Sequence, residues 1–254
     1  MPIRYAPCAM GKARVLADWV RAVEQHETGV PQRKAVHQMR VAARRLRAAL
    51  RLLGLRELDP ELKRLQDALG DVRDLQLQVD WLEGRDDDLG RARQAQLRKA
   101  EQGLERQLRA WRSRTLPALL EAAVDDSSPP ARAAAKLLRR QLDRLERRLE
   151  RARSRLTPKV LHRARVSVKQ VRYLLEVAKG SLPKKATSLQ ADLKTLQASL
   201  GELHDVDVRI GLVKRNKALL RDQKESRAQL SKIIAAQLGR WRKEKLAKRA
   251  RKTL

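Results

Sequence analysis

A stretch of twelve residues that occurs twice sets the tightest limit on how this chain can fold. Val36-His37-Gln38-Met39-Arg40-Val41-Ala42-Ala43-Arg44-Arg45-Leu46-Arg47 returns, 125 positions later, as Leu161-His162-Arg163-Ala164-Arg165-Val166-Ser167-Val168-Lys169-Gln170-Val171-Arg172. A second stretch, Leu62-Lys63-Arg64-Leu65-Gln66-Asp67-Ala68-Leu69-Gly70-Asp71-Val72-Arg73-Asp74, returns 131 positions later at Leu193–Asp205. Two blocks in the same order at nearly the same offset point to duplication of one unit, with six residues inserted between the blocks. Apolar residues in both blocks recur every three or four positions, the period of a helix with one buried face. Leu, Ala, Arg, Lys, Glu and Gln dominate the chain and are good helix formers. Alternating β-branched runs are absent, so the prediction is an all-α protein.

The turn-forming run Asp125-Asp126-Ser127-Ser128-Pro129-Pro130 divides the copies. We expect helices near 9–26, 31–53, 59–82 and 88–122 in the first half, and near 130–153, 157–179, 184–214 and 217–250 in the second. Thr157-Pro158 has the form of an N-cap followed by proline at the first helical position. Short loops between long helices favour antiparallel bundles. The expected fold is therefore two four-helix bundles related by internal duplication and pseudo-two-fold symmetry. They form one helical domain over residues 1–254, built of repeats at about 9–124 and 130–250.

The second helix of each repeat carries two stripes. Val36, Met39, Ala43, Leu46, Leu50 and Leu53 form a core seam. One residue further on, His37, Arg40, Arg44, Arg47 and Arg51 form a ridge rotated by about 100° from it. In the second repeat, Leu161, Ala164, Val168, Val171, Leu175 and Ala178 form the seam, and His162, Arg165, Lys169 and Arg172 the ridge. Such a ridge places a cation about every 5–6 Å over roughly 20 Å of helix, a spacing suited to a linear chain of anions. Arginine adds two-pronged hydrogen bonding to phosphate oxygens. Histidine at the head of each ridge can donate a neutral hydrogen bond or take up a proton near an anion. On the third helix, Lys63 matches Lys194 and Arg73 matches His204. We expect Asp74 and Asp205, which follow the latter pair, to orient basic side chains. Gly70 and Gly201, in mid-helix, point to a close helix approach or to room for a ligand.

Charge says what such a ridge can meet. Lys and Arg total 59 against 30 Asp and Glu, a formal net charge of +29. That imbalance calls for a polyanion, whether nucleic acid, an anionic membrane surface or polyphosphate. Trp19, Trp81, Trp111, Trp241, Tyr5 and Tyr173 are scattered and make no stacking platform for single strands. Sequence-independent binding of nucleic acid stays open as the alternative. Cys8 is the single cysteine, so no internal disulfide can form. No Gly-rich phosphate loop, nucleophile elbow or metal-ligand spacing is evident. We expect no cofactor, metal or catalytic residue, although His204, Asp205 and Asp207 with Asp71 and Asp74 are the residues an enzyme would need. No stretch is apolar enough for a signal peptide or a membrane span, so the expected location is the cytoplasm. The basic stretch Arg240–Lys252 has a thin apolar face, and a frayed helix end or polyanion arm suits it better than a membrane helix.

These motifs resemble the CHAD family, the conserved histidine α-helical domain. Its first block is met by His37, Arg40, Val41, Arg44, Arg45, Leu46 and Arg47. Its second is met by His162, Arg165, Val166, Lys169 and Arg172, followed by Tyr173 and Glu176. A leucine-glycine-x-x-basic-aspartate pattern is met at Leu69–Asp74, and with histidine in the basic place at Leu200–Asp205. The resemblance implies paired four-helix bundles, binding of inorganic polyphosphate without catalysis, and association with polyphosphate granules. The polyphosphate-binding residues it suggests are His37, Arg40, Arg44, Arg45, Arg47, Arg51, Lys63 and Arg73, with His162, Arg165, Lys169, Arg172, Lys194 and His204. Gln170 stands where the family pattern has a second basic residue, so a weaker second ridge is expected. The glutamate-rich strand motif of the triphosphate-hydrolysing tunnel domain that many relatives carry is absent, so hydrolase activity is not implied.

Overall fold

The computed structural model describes residues 12–124, 131–178 and 189–251, and every regular element among them is helical. The chain divides between Pro130 and Ala131 into two compact units. Unit 1 contains α1 (Lys12–Glu24), α2 (Arg33–Leu53), α3 (Asp59–Leu82) and α4 (Asp87–Ala110). A five-residue π-helical segment, Trp111–Thr115, carries α4 on into α5 (Leu116–Val124). Unit 2 contains α6 (Ala131–Ser154), α7 (Pro158–Val177), α8 (Leu189–Leu212), α9 (Lys217–Lys243) and a short α10 (Leu246–Arg251).

Local chemistry explains where the helices stop. Gly54, in the left-handed region at φ 81°, closes α2, its N–H donating to the Leu50 carbonyl. The Asp86 carboxylate accepts from Leu89 N at 3.2 Å at the start of α4, and the Asn216 side chain does the same for Leu219 N in α9. Pro158 occupies the first turn of α7, but the Thr157 side chain makes no capping hydrogen bond. The predicted helix ends near residues 9 and 184 lie outside the described residues.

Within unit 1 each helix packs on the next, and α5 returns to α1. Leu16 and Val20 of α1 meet Val36, Met39, Ala43, Leu46 and Leu50 of α2, Leu62, Leu65 and Leu69 of α3, and Leu104 and Trp111 further on, all essentially buried. The predicted α2 seam is this buried stripe, with Leu53 at its partly covered end. In unit 2, α6, α7, α8 and α9 follow the same order of neighbours, with α9 also meeting α6. The predicted α7 seam, from Leu161 to Ala178, is likewise buried. Leucine and alanine fill both interiors, so few aromatic residues are needed.

Where the sequence suggests a frayed helix end or polyanion arm at Arg240–Lys252, the described residues are more ordered than either: α9 ends at Lys243, Lys245 turns the chain at φ 51°, and α10 packs on α6 with Leu246 and Ala247 buried. The two apolar side chains decide this, because covering them releases water at the cost of only one turn.

Candidate anion-binding site

In each unit the histidine end of the ridge meets the matching residue of the next helix. In unit 1, His37, Arg40 and Arg44 of α2 come together with Arg73 of α3. Partial burial of the His37 ring, then the charges of Arg73, Arg40 and Arg44, hold its pKa below the ordinary 6.5. In unit 2 the His162 ring of α7 lies 5.3 Å from the His204 ring of α8, tilted by 46°. Partial burial, then Arg165 and Lys169, lower the His162 pKa in the same way. Both histidines are exposed. Each unit thus presents an imidazole with a lowered pKa beside cations of its own helix, joined from the next helix by Arg73 in unit 1 and by the His204 ring in unit 2.

Arg40 shows how the third helix shapes this end. Its Nη1 donates to Asp74 Oδ1 at 3.0 Å, so Asp74 does orient a ridge cation. Its guanidinium lies across Gly70, where a Cβ would stand 3.6 Å from Nη2 and 3.7 Å from Nε. A side chain at Gly70 would thus be in ordinary van der Waals contact with the flat guanidinium, and no neighbouring backbone lies among its nearest atoms. Around Gly201 nothing lies within 4 Å of the corresponding Cβ, so close helix approach does not account for it. Gly201→Ala should raise stability by about 0.5–1 kcal/mol through helix propensity, read from chemical denaturation. A loss of stability would show that open space there has a structural use. Beside Arg40, partial burial and the charges of Asp74 and Asp67 push the Asp71 carboxyl upward, with Arg40 opposing them.

The other end of each ridge is turned inward. Arg47 is buried, and its Nε and Nη2 donate to the two Asp59 carboxylate oxygens at 2.7 and 3.0 Å, while Nη1 donates to Gln66 Oε1 at 3.1 Å. Arg51 Nη2 shares Asp59 at 3.2 Å. Arg172 in unit 2 donates to Gln197 Oε1 at 2.8 Å and to Glu176 Oε1 at 2.6 Å, with its guanidinium carbon 4.6 Å from the Tyr173 ring centroid. Gln66 and Gln197 occupy matching places in the repeated blocks. Arg47 and Arg172 thus tie the second helix of a unit to the third, and an open row of all five ridge side chains on α2 is not what the structure presents. The loop Gly54–Leu58 is short, so α3 begins beside Arg47 and Arg51 and delivers Asp59 to them.

The remaining predicted residues fall elsewhere. Arg45 places its guanidinium carbon 5.4 Å from the Trp19 ring centroid on α1. It is off the α3-facing ridge, so Gln170 at the matching position does not thin the ridge of unit 2. Lys63 is exposed and pairs with Asp67 one turn on. Lys194 is exposed on α8, one turn before Gln197.

Other contacts set the height of each ridge helix. Gln76 Nε2, buried on α3, donates to the Pro31 carbonyl at 2.9 Å. Arg33, at the start of α2, pairs with Asp80. In unit 2, Arg227 bridges Asp207 at 2.7 Å and the Leu156 carbonyl at 3.1 Å. Asp207, one of the residues an enzyme would need, is engaged here in holding the loop before α7. Single-residue periodicity gives no hint of these three ties, since the partners lie 20 or more positions apart. Among the described residues no group of three His, Cys, Asp or Glu is arranged to hold a metal ion, and no helix is long and apolar enough to cross a membrane.

Comparison with known proteins agrees with this architecture. The family model for the CHAD domain matches residues 14–214. The crystal structure of the CHAD domain from the plant Ricinus communis is similar with a TM-score of 0.64 and 21% sequence identity, covering 94% of this chain and 96% of that one. At that identity the likeness speaks for the fold alone. No curated protein matches the chain. With its family match extending across most of its length and its helices arranged as in a CHAD structure, the chain belongs to the CHAD domain family.

Proposed function

We propose that the protein binds inorganic polyphosphate without catalysing a reaction, through the histidine ends of its two ridges. The observation that carries this reading is the meeting, in each unit, of a histidine and basic residues of one helix with a basic or histidine residue of the next. Linear phosphate chains offer oxygens to several such groups in turn, and guanidinium groups match them in charge and geometry. The resemblance to CHAD proteins supplies the ligand class, where charge alone supplies only a polyanion. Association with polyphosphate granules would follow from such binding.

A competition titration tests it. Labelled long-chain polyphosphate, bound at physiological salt, should be displaced by unlabelled polyphosphate and far less, per phosphate, by duplex DNA or RNA. Equal displacement by nucleic acid would make the ridges a general polyanion surface. Phosphate release on incubation with polyphosphate and a divalent metal would overturn the non-enzymatic part.

Binding should also strengthen as pH falls. In the free protein His37 and His162 have lowered pKa values, and a phosphate chain beside them favours their charged form. The bound state therefore takes up protons, and affinity should rise as pH drops through the region of 6.5, levelling off below the free-state values. The free protein moves the other way. Its unfolded chain binds those protons first, so the histidine contribution to stability declines over the same range. A H37Q/H162Q variant should flatten the pH dependence of affinity, and an unchanged slope would remove the histidines from the site.

A further inference from the structure

We propose that unit 2 carries a second phosphate-chain contact on the opposite edge of α7, where Arg144, Arg148, Arg151 and Arg155 line up beside Arg163. It shares the ligand class of the proposed function and none of its residues.

The charges of α6 are sorted by edge. Its buried seam is Leu138, Leu142, Leu145, Leu149 and Ala152. One position before the seam lie Arg144, Arg148 and Arg151, and Arg155 continues the row, its N–H still donating to the Arg151 carbonyl at 3.0 Å. One position after it lie the three carboxylates of α6, Asp143, Glu146 and Glu150. Contacts show which way each edge faces. Glu150 pairs with Arg153 at 2.7 Å and comes within 3.9 Å of Arg242 on α9. Arg148 Nη1 instead reaches α7, donating to Ser167 Oγ at 2.6 Å and to the Arg163 carbonyl at 3.2 Å. The single carboxylate of α7, Glu176, pairs with Arg172, which reaches α8 through Gln197. Neither helix therefore puts a carboxylate on the α6–α7 edge.

Arg148 is held by neutral acceptors, one of them on the buried Ser167, so it is fixed in place without losing its charge. Those two bonds engage Nη1 alone. Its pKa is lowered by partial burial and then by Arg144 and Arg163, as expected where like charges crowd together. Arg144, Arg151, Arg155 and Arg163 are exposed. An anion threading this edge would relieve the repulsion and meet arginines every 5–6 Å or so. The edge has no aromatic side chain on which bases could stack, which favours a phosphate chain over single-stranded nucleic acid. The described residues of unit 1 show no such edge: there Arg45 covers Trp19, and Arg21 of α1 pairs with Asp18 at 3.0 Å.

The test compares three variants of the full chain, each checked for helicity. The first is R144Q/R151Q/R163Q, which spares the Arg148–Ser167 tie. The second is the ridge variant R40A/R44A/R165A/K169A. The third is a charge-matched control on α4, R91Q/R106Q/R109Q. Affinity for long-chain inorganic polyphosphate is measured over a series of salt concentrations. Each lost phosphate contact should reduce the salt slope by about 0.7, the single-strand value, so the edge variant should lose about two from its slope. It should also bind about tenfold or more weakly, with the control near wild type. An edge variant that keeps wild-type affinity and slope, or a control that falls as far as the edge variant, overturns the second contact. The ridge reading is judged separately by its own variant: loss there with an intact edge variant keeps the proposed function and removes this inference, and the converse leaves the edge as the binding surface.

Discussion

Replacing Arg40, Arg44, Arg165 and Lys169 with alanine should leave both units folded and weaken binding of long-chain polyphosphate by roughly two to three orders of magnitude. Charge-assisted hydrogen bonds to phosphate contribute about 1 kcal/mol or more each after desolvation, and four are removed. Arg40 is paired with Asp74. Asp74, left behind, has 56% of its side chain in water, so losing that pair costs stability little. The remaining affinity should also depend less on salt, because fewer counterions are released. Fluorescence anisotropy with labelled polyphosphate reads both quantities, and circular dichroism reads the fold. A folded variant with wild-type affinity would refute the ridge as the binding surface.

Arg47→Ala should have the opposite profile, costing about 2–3 kcal/mol of stability with little direct effect on binding. Removing one member of a buried ion pair strands its partner, which in fully buried cases costs roughly 3–5 kcal/mol. Asp59 keeps 22% of its side chain exposed and retains Arg51 at 3.2 Å, so the lower figure applies. Arg51→Ala, at the more exposed partner, should cost under about 1 kcal/mol. The acid limb of stability gives a second readout. Burial alone would raise the Asp59 pKa, but the hydrogen bond from Arg47 and the charges of Arg51 and Arg47 bring it below the ordinary 3.8. A carboxylate with a depressed folded pKa stabilises the protein above its unfolded pKa, and that contribution is lost as pH falls through the folded value. The wild type should therefore lose this part of its stability below about pH 4, and R47A should show a smaller loss. Urea unfolding monitored by helicity measures both effects. An R47A protein as stable as wild type, with weakened polyphosphate binding, would return Arg47 to the ligand surface.

The contrast between these arginines marks the boundary between sequence and tertiary structure. Helical periodicity was enough to place Val36, Met39, Ala43, Leu46 and Leu50 inside and His37, Arg40, Arg44, Arg47 and Arg51 together on another face. A 3.6-residue repeat determines which side chains share a face whatever surrounds the helix. The repeated blocks by themselves also pair His37 with His162 and Arg73 with His204. What a face meets is a property of the neighbouring helix. Arg47 became a tie because a short loop starts α3 at Asp59 directly beside it, while Arg40 found Asp74 and the bare backbone of Gly70. Arg45 went to Trp19 and Arg148 to Ser167 for the same kind of reason. Long-range partners of this sort leave no periodic trace, because a hydrogen bond between helices depends on their rotation and height and not on spacing along either one. The all-α fold and the basic faces thus follow from local patterns, whereas packing alone divides the cations between holding the helices together and facing solvent, where a ligand can reach them.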